Sequence, residues 1–448
     1  MPGSISTAPT RGGSSPLGAG TNLVNTIIGS GILALPYALR EAGFYSGIIT
    51  LLLAAVLIYL ALNMLVLAGR RTGLYRFEAV SEAALGRPGY HILGFALAVN
   101  SIGSCISYLI IIGDTVTSIA QTAFGINAFT SRVAVILLAS VVFTLPLLFF
   151  RTLDPLVKPS AVSTLCFPII VAIVAIRGPT YALPEPAPTP FWGPSFLPAF
   201  GVIAFAYSCT QTCFQSYTTL QTKTMDAWRI ATRFATTTAV LVYLAFSIVS
   251  YKSFGLLTDP NVLNNFSADD TLANVARALL AFSLTLTYPM QFYPIRDLLG
   301  YSFLGISPEA NQPAQQRMRF HAFTVLLFAS TVTVAVIVND LGFVFKLIGT
   351  GASSLLIFVL PGIIYLSLIS PYSWLTKNSN DQIAFQNSPA AEASPLLPPP
   401  SADPTDPLND ARSIREPLLS VVAVLLLVIG CAVFVIGTWD SIADYVKS

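Results

Sequence analysis

Residues 29–31 read Gly-Ser-Gly, near the middle of an apolar run that begins at Leu17 and is long enough to cross a bilayer. Pro36 follows five residues later. In lipid every backbone N–H and C=O needs an internal partner, so a crossing segment is normally an unbroken helix. Gly29 and Gly31 weaken that helix at mid-depth, where weakening is costly. A second interruption follows the apolar stretch 197–206, where residues 208–212 read Ser-Cys-Thr-Gln-Thr and polarity continues through Gln215, Ser216, Thr218 and Thr219. A half-helix starting near Gly31 aims free N–H groups and a positive dipole end at whatever lies before it, which suits a carboxylate. Unwound carbonyls at 27–29 and 207–209 suit an ammonium group or a cation.

Each feature has a plainer reading. Small residues let membrane helices approach closely, and hydroxyls in such helices bond back to their own carbonyls. What favours a site is recurrence. The interruptions fall in the first and sixth crossing segments, five spans apart, and because five is odd the second half inserts with opposite orientation, so the two breaks meet at the midplane. A site with both polarities fits a zwitterionic amino acid.

Other residues could carry a coupling ion. Ser283, Thr285 and Thr287 place hydroxyls in mid-membrane, and Asn25 lies one turn before the first break. An ionisable residue inside a span is a functional hypothesis by default. Asp114 is the acidic residue that falls well within a span, so it is the candidate proton acceptor. Lys346 is expected to pair with Asp340 or to reach outward. His91 and His321 fall at span ends, which argues against a histidine relay. Cys105, Cys166, Cys209, Cys213 and Cys431 lie in apolar runs and imply no disulfide framework; no metal site or cofactor is expected, with a proton or sodium as the coupling ion.

The elements that must position these residues are membrane helices. Apolar residues make up 54% of the 448-residue chain and charged ones 10%, with mean hydropathy +0.71; soluble domains carry about 25% charge. The net charge of +2 is scattered between apolar runs and implies no nucleic-acid partner. At about 20 residues per crossing the spans fall at 17–40, 45–69, 91–122, 131–150, 157–177, 196–220, 228–254, 272–299, 320–338, 341–370 and 417–437. With the N-terminus cytosolic, sixteen of the 23 lysines and arginines face the cytosol and six the other side. That is the bias of the positive-inside rule. The domain reading is a cytosolic tail (1–16), a first inverted repeat (17–177), a proline-rich lumenal loop (178–195), a second repeat (196–371), a cytosolic linker (372–416), an eleventh helix (417–437) and a lumenal tail (438–448).

Smaller signals sit in the loops. Residues 76–90 read as an amphipathic helix on the cytosolic face. Asn265-Phe266-Ser267 is an N-glycosylation pattern on the expected lumenal side. Glu392, Leu396 and Leu397 have the spacing of an acidic dileucine sorting signal for an adaptor partner.

Residues 22–38, Asn-Leu-Val-Asn-Thr-Ile-Ile-Gly-Ser-Gly-Ile-Leu-Ala-Leu-Pro-Tyr-Ala, resemble the first-helix motif of the amino acid/auxin permease family. Residues 107–114 (Ser-Tyr-Leu-Ile-Ile-Ile-Gly-Asp), 285–289 (Thr-Leu-Thr-Tyr-Pro) and 293–296 (Tyr-Pro-Ile-Arg) resemble it further, and the likeness runs along nearly the whole chain. The resemblance implies an all-α polytopic membrane protein with a LeuT-like 5+5 inverted repeat, an eleventh helix, and helices 1 and 6 broken around substrate. It puts Gly29, Ser30 and Gly31 at the substrate carboxylate, and Asn25 with Thr285 or Thr287 at the cation. Together with the reading of the residues, the expected substrate contacts are Thr26, Gly29, Ser30, Gly31, Tyr108, Tyr207, Ser208 and Cys209, and the expected coupling residues are Asn25, Ile28, Thr285, Thr287 and Asp114. Many members read Cys-His where this chain has Cys209-Thr210, so a role for that histidine does not carry over.

The short N-terminal tail and long linker look most like fungal vacuolar members, and the expectation is a proton-coupled secondary amino-acid transporter in the vacuolar or lysosomal membrane. The alternatives are a sodium-coupled neutral amino-acid transporter at the plasma membrane and a non-transporting sensor. An enzyme is not expected: HExxH, GxSxG and paired intramembrane carboxylates are missing from the sequence.

Overall fold

A computed structural model of the chain describes residues 13–126, 130–149, 165–182, 184–304, 314–338, 340–369 and 415–447. The calls on residues 1–12 and on the linker, including Glu392, Leu396 and Leu397, lie outside them. The regular structure of the described residues is helical, with one isolated backbone bridge between Ser14 and Leu220.

The first crossing is split into α1 (Pro16–Ile27) and α2 (Gly31–Ala42), which bend by 62° at the break. Ser15 caps α1, its hydroxyl accepting from the Gly18 N–H at 3.1 Å, and Pro16 takes the first-turn position that needs no donor. α3 (Phe44–Thr72), α4 (Phe77–Leu85), α5 (Arg87–Phe124), α6 (Arg132–Leu148) and α7 (Cys166–Arg177) follow. α4 buries Phe77, Ala79, Val80 and Ala84 and packs against α5 and the last turns of α13.

The second interrupted crossing is α8 (Phe196–Ala206) and the short α9 (Cys213–Thr218). α10 (Met225–Phe254), α11 (Thr271–Leu304), α12 (Ala314–Ile337), α13 (Leu341–Leu368) and α14 (Pro417–Val446) complete the bundle. α13 carries two π turns, Gly349–Ser353 and Leu355–Val359. Seven of the described helices are long and apolar enough to cross a membrane, and the bent α1–α2 pair makes an eighth. Val421, Leu425 and Val428 of α14 are exposed, an arrangement stable only where the solvent is lipid.

α2 is fixed at its far end by the proline-rich loop. Gly43 turns the chain from α2 into α3 with φ +98°, and the loop backbone at Phe191–Gly193 presses so close that a side chain there would collide. The Gly193 N–H donates to Ala42 C=O at 2.7 Å and the Ser195 N–H to Glu41 C=O at 3.0 Å.

That same end holds the main departure from the sequence reading of charges. Lys346 does not pair with Asp340 or reach outward. Its ammonium donates to Glu41 Oε2 at 2.6 Å, with both side chains under a tenth exposed. Asp340 instead caps α13, its Oδ1 accepting from the Phe343 N–H at 3.0 Å. The sequence reading ends the first span at residue 40; α2 runs two residues further, to Ala42, and carries Glu41 into the protein. Beyond residue 437 the chain stays helical to Lys447, where the Tyr445 ring stacks on Phe343 at 4.0 Å.

Candidate functional site

The two interruptions meet. α1 stops at Ile27 because Ile28 takes ψ 88°, outside the helical region, and α2 restarts at Gly31. α8 stops at Ala206; Tyr207 to Cys209 are non-helical, and one 3₁₀ turn at Thr210–Thr212 leads into α9. Gly31 lies against this second break. A Cβ on Gly31 would stand 2.6 Å from Ala206 Cα, nearer than any side chain tolerates, so only glycine permits the approach. Tyr243 of α10 ties the junction, its hydroxyl 2.7 Å from the carbonyl oxygens of both Ile27 and Ala206.

Between the breaks lies a small cavity of about 30 Å³. α1 and α2 contribute Thr26, Ile27, Gly29, Ser30 and Gly31; α5 contributes Asn100, Ser104 and Tyr108; the second break contributes Phe205, Ala206, Ser208 and Gln211; α11 contributes Gln291. Its polar lining carries no ionisable acid or base other than the Tyr108 phenol. Ser208 Oγ and Gln211 Oε1 are buried with no hydrogen-bond partner in the protein. Such atoms cost free energy unless a ligand or water satisfies them. The Tyr108 hydroxyl is within interaction range of Ser30, Thr287 and Gln291, so it links α2, α5 and α11 across the cavity. Asn100 is held in place by the Ser353 hydroxyl, which donates to its Oδ1 at 2.9 Å from α13.

Of the substrate contacts expected from sequence, Thr26, Gly29, Ser30, Gly31, Tyr108 and Ser208 line this cavity. Tyr207 and Cys209 do not. The Tyr207 ring turns onto Tyr243, centroids 5.0 Å apart, and the Cys209 carbonyl already accepts from the Thr212 N–H at 3.1 Å and the Thr212 hydroxyl at 3.0 Å. Asn100, Ser104, Gln211 and Gln291 were not singled out. Their signal was there: Asn100, Ser104 and Tyr108 recur every four residues on one face of α5, and Thr287 and Gln291 do so on α11.

The expected coupling residues are dispersed. Asn25 and Ile28 flank the first break outside the lining. The Thr285 hydroxyl donates to Ala281 C=O at 2.8 Å and that of Thr287 to Ser283 C=O at 2.9 Å, which leaves oxygen lone pairs for a cation. Asp114 lies elsewhere. Its Oδ1 accepts from Arg132 Nε at 2.7 Å in the wall of a separate open cavity of about 610 Å³, with Thr117, Asn264, Asp269 and Arg277. Asn265 is half-buried in the neighbouring loop, its amide donating to Leu257 C=O at 2.7 Å.

Comparison with known proteins agrees with this architecture. A sodium-coupled sialic acid symporter, solved substrate-bound and outward-open, superimposes with a TM-score of 0.53 at 12% identity, covering 80% of each chain. At that identity the likeness establishes the fold, a LeuT-like one. The Bos taurus protein provisionally named sodium-coupled neutral amino acid transporter 11 is 30% identical over 353 residues, 78% of this chain and 75% of that one. Vacuolar amino acid transporter 2 of Saccharomyces cerevisiae is 26% identical over 369 residues, 78% of this chain and 75% of its own. The family model described as "Transmembrane amino acid transporter protein" matches residues 12–385, most of the chain, and the protein therefore belongs to that family of amino acid transporters.

Proposed function

We propose that this chain is a secondary active transporter of neutral amino acids, working by alternating access and coupled to protons at the vacuolar membrane. The observation that carries the reading is the meeting of two interrupted helices around a buried polar cavity in which Ser208 Oγ and Gln211 Oε1 lack partners. The α2 half-helix starts at Gly31 and offers its N-terminal end to a carboxylate, while the unwound backbone between the half-helices offers carbonyls to an ammonium. A lining with neither carboxylate nor basic side chain favours substrates whose own side chains are uncharged.

A cavity of about 30 Å³ holds little more than water, so substrate requires the breaks to part. That is the alternating-access motion, one set of helices rocking against another around a fixed site. The inverted 5+5 repeat and the cytosolic N-terminus, supported by the loop charge bias, belong to the same reading. Asn25, Ile28, Thr285 and Thr287 remain the residues proposed for the coupling ion, with Asp114 as a peripheral candidate.

Sodium coupling at the plasma membrane is the second reading, favoured by the name of the bovine relative. Uptake of labelled neutral amino acids into proteoliposomes separates the two: a pH gradient without sodium is expected to drive accumulation. Accumulation driven by a sodium gradient alone favours the rival, and no flux under either gradient defeats both. A sensor that does not transport would bind substrate in the same preparation and move none.

A further inference from the structure

The two breaks share one hydrogen-bond donor. Tyr243 is wholly buried in α10, and its hydroxyl oxygen is 2.7 Å from Ile27 C=O and 2.7 Å from Ala206 C=O. Those carbonyls belong to the last residues of α1 and α8. The carbonyl end of a helix carries the negative end of its dipole, so two like-signed ends face each other across a single hydroxyl. Its one proton serves one carbonyl at a time; the Ile27 oxygen also accepts from the Gly29 N–H at 3.0 Å, within its own break. Tyr207, packed edge-on against the Tyr243 ring, supplies no second donor, because its own hydroxyl is buried without a partner. Where half-helix carbonyl ends converge in interrupted-helix transporters, a cation commonly coordinates them. In this chain a neutral phenol stands in that place.

We propose that Tyr243 is a positioning residue whose hydroxyl does at this joint what a bound cation would do. It offsets the facing carbonyl ends and holds the two breaks at the separation the cavity requires. Tyr243 is not among the residues that line the cavity, so it acts on substrate only through Ile27 and Ala206. Its proton passes between the two acceptors without moving net charge, so either half-helix loosens while the other stays tied. The effect on transport rests on the function proposed above; the effect on the joint does not.

The test uses the full-length protein in detergent and in proteoliposomes. Tyr243→Phe removes the hydroxyl and leaves the ring. In choline chloride the variant is expected to melt below the wild type, and in sodium chloride that gap is expected to narrow as sodium enters the vacated place between the carbonyls. A gap of zero, or one equal in both salts, overturns the proposal, since a purely packing role has no reason to respond to a small cation. In uptake the ratio of variant to wild-type KM is expected to be at least fivefold in choline and smaller in sodium, with the maximal rate per folded transporter within twofold. An unchanged KM overturns the positioning role. If Tyr243→Phe does not fold, 3-fluorotyrosine at position 243 keeps the shape and strengthens the donor; its melting temperature in choline is expected to rise, and no rise overturns the proposal. A wild type that transports nothing would defeat the transport reading, while the melting gap still decides this one.

Discussion

Glu41 and Lys346, 305 residues apart, form an ion pair at 2.6 Å with both side chains under a tenth exposed. Arg40 binds the other carboxylate oxygen at 2.9 Å, so one buried acid answers two cations. The pair fastens the second half of the first broken helix to α13. Glu41→Gln leaves Lys346 with the neutral Tyr37 side chain and, as its nearest carboxylate among the described residues, Asp444, 3.9 Å away and nearly half exposed. Stranding one partner of a buried pair costs about 3–5 kcal/mol, whereas replacing both by apolar groups is often close to neutral. Thermal unfolding in detergent is therefore expected to show a large loss for Glu41→Gln and recovery of most of it in the double variant Glu41→Leu/Lys346→Met. A double variant as unstable as the single one would show that the pair stabilises through more than charge compensation.

Gly31 tests whether the breaks must touch. Gly31→Ala adds a Cβ 2.6 Å from Ala206 Cα, and because the neighbour is backbone it cannot swing aside. The half-helices must separate by a fraction of an ångström or more. Misplacement on that scale at a preorganised site lowers rates by on the order of 100-fold. Uptake by Gly31→Ala and Gly31→Leu is expected to fall to near background, with normal yield and membrane sorting. Retained uptake would mean that substrate does not pass between α2 and α8.

Gly29, two residues earlier, predicts a different phenotype. A Cβ there meets only the Tyr108 hydroxyl, at 4.0 Å, and Gly29 is not one of the positive-φ glycines. Gly29→Ala is therefore expected to fold with stability within about 0.5 kcal/mol of wild type. The methyl group projects toward the space that substrate must enter, and one carbon in a fitted pocket is worth about 10–200-fold. A KM increase of at least tenfold in an uptake titration, with little change in melting temperature, is the expected result. An unchanged KM would place substrate away from the first break.

The contrast between these glycines and Tyr243 explains what the sequence revealed. Gly29, Gly31 and the polar run 208–212 are anomalous for residues in lipid, and anomaly at mid-span is visible in one dimension. Asn100, Ser104 and Gln291 were legible only through their four-residue spacing from Tyr108 and Thr287, a weaker signal that ordinary helix packing also produces. Tyr243 carried no signal, because an aromatic in an apolar span is what any membrane helix presents. Pairing is the other blind spot. Asp114 looked like a lone buried acid until Arg132, 18 residues on, was brought to 2.7 Å, and Glu41–Lys346 depends on how α2 and α13 pack. Local chemistry could be read from the chain; the partner of each charge had to be seen in space.

Asp270 gives a pH prediction at the same end of the bundle, in the loop just before α11. Its Oδ2 accepts from Arg177 at 2.6 and 2.8 Å and from the Tyr181 hydroxyl at 2.9 Å, and its Oδ1 from the Ala273 N–H at 3.1 Å. Burial alone would raise this carboxyl, but the Arg177 hydrogen bonds, then Ala273 and Tyr181, outweigh it and hold the group below the usual range. A carboxylate depressed in the folded state contributes stability above its unfolded value of about 3.9, and that contribution is lost as pH falls through the folded value. The melting-temperature difference between wild type and Asp270→Asn is therefore expected to stay constant from neutral pH down to about pH 5 and to shrink only below about pH 4. The charged lock would thus survive mild acidity. A difference that shrinks already between about pH 6 and 5 would mean that the Arg177 contact does not stabilise the ionised form.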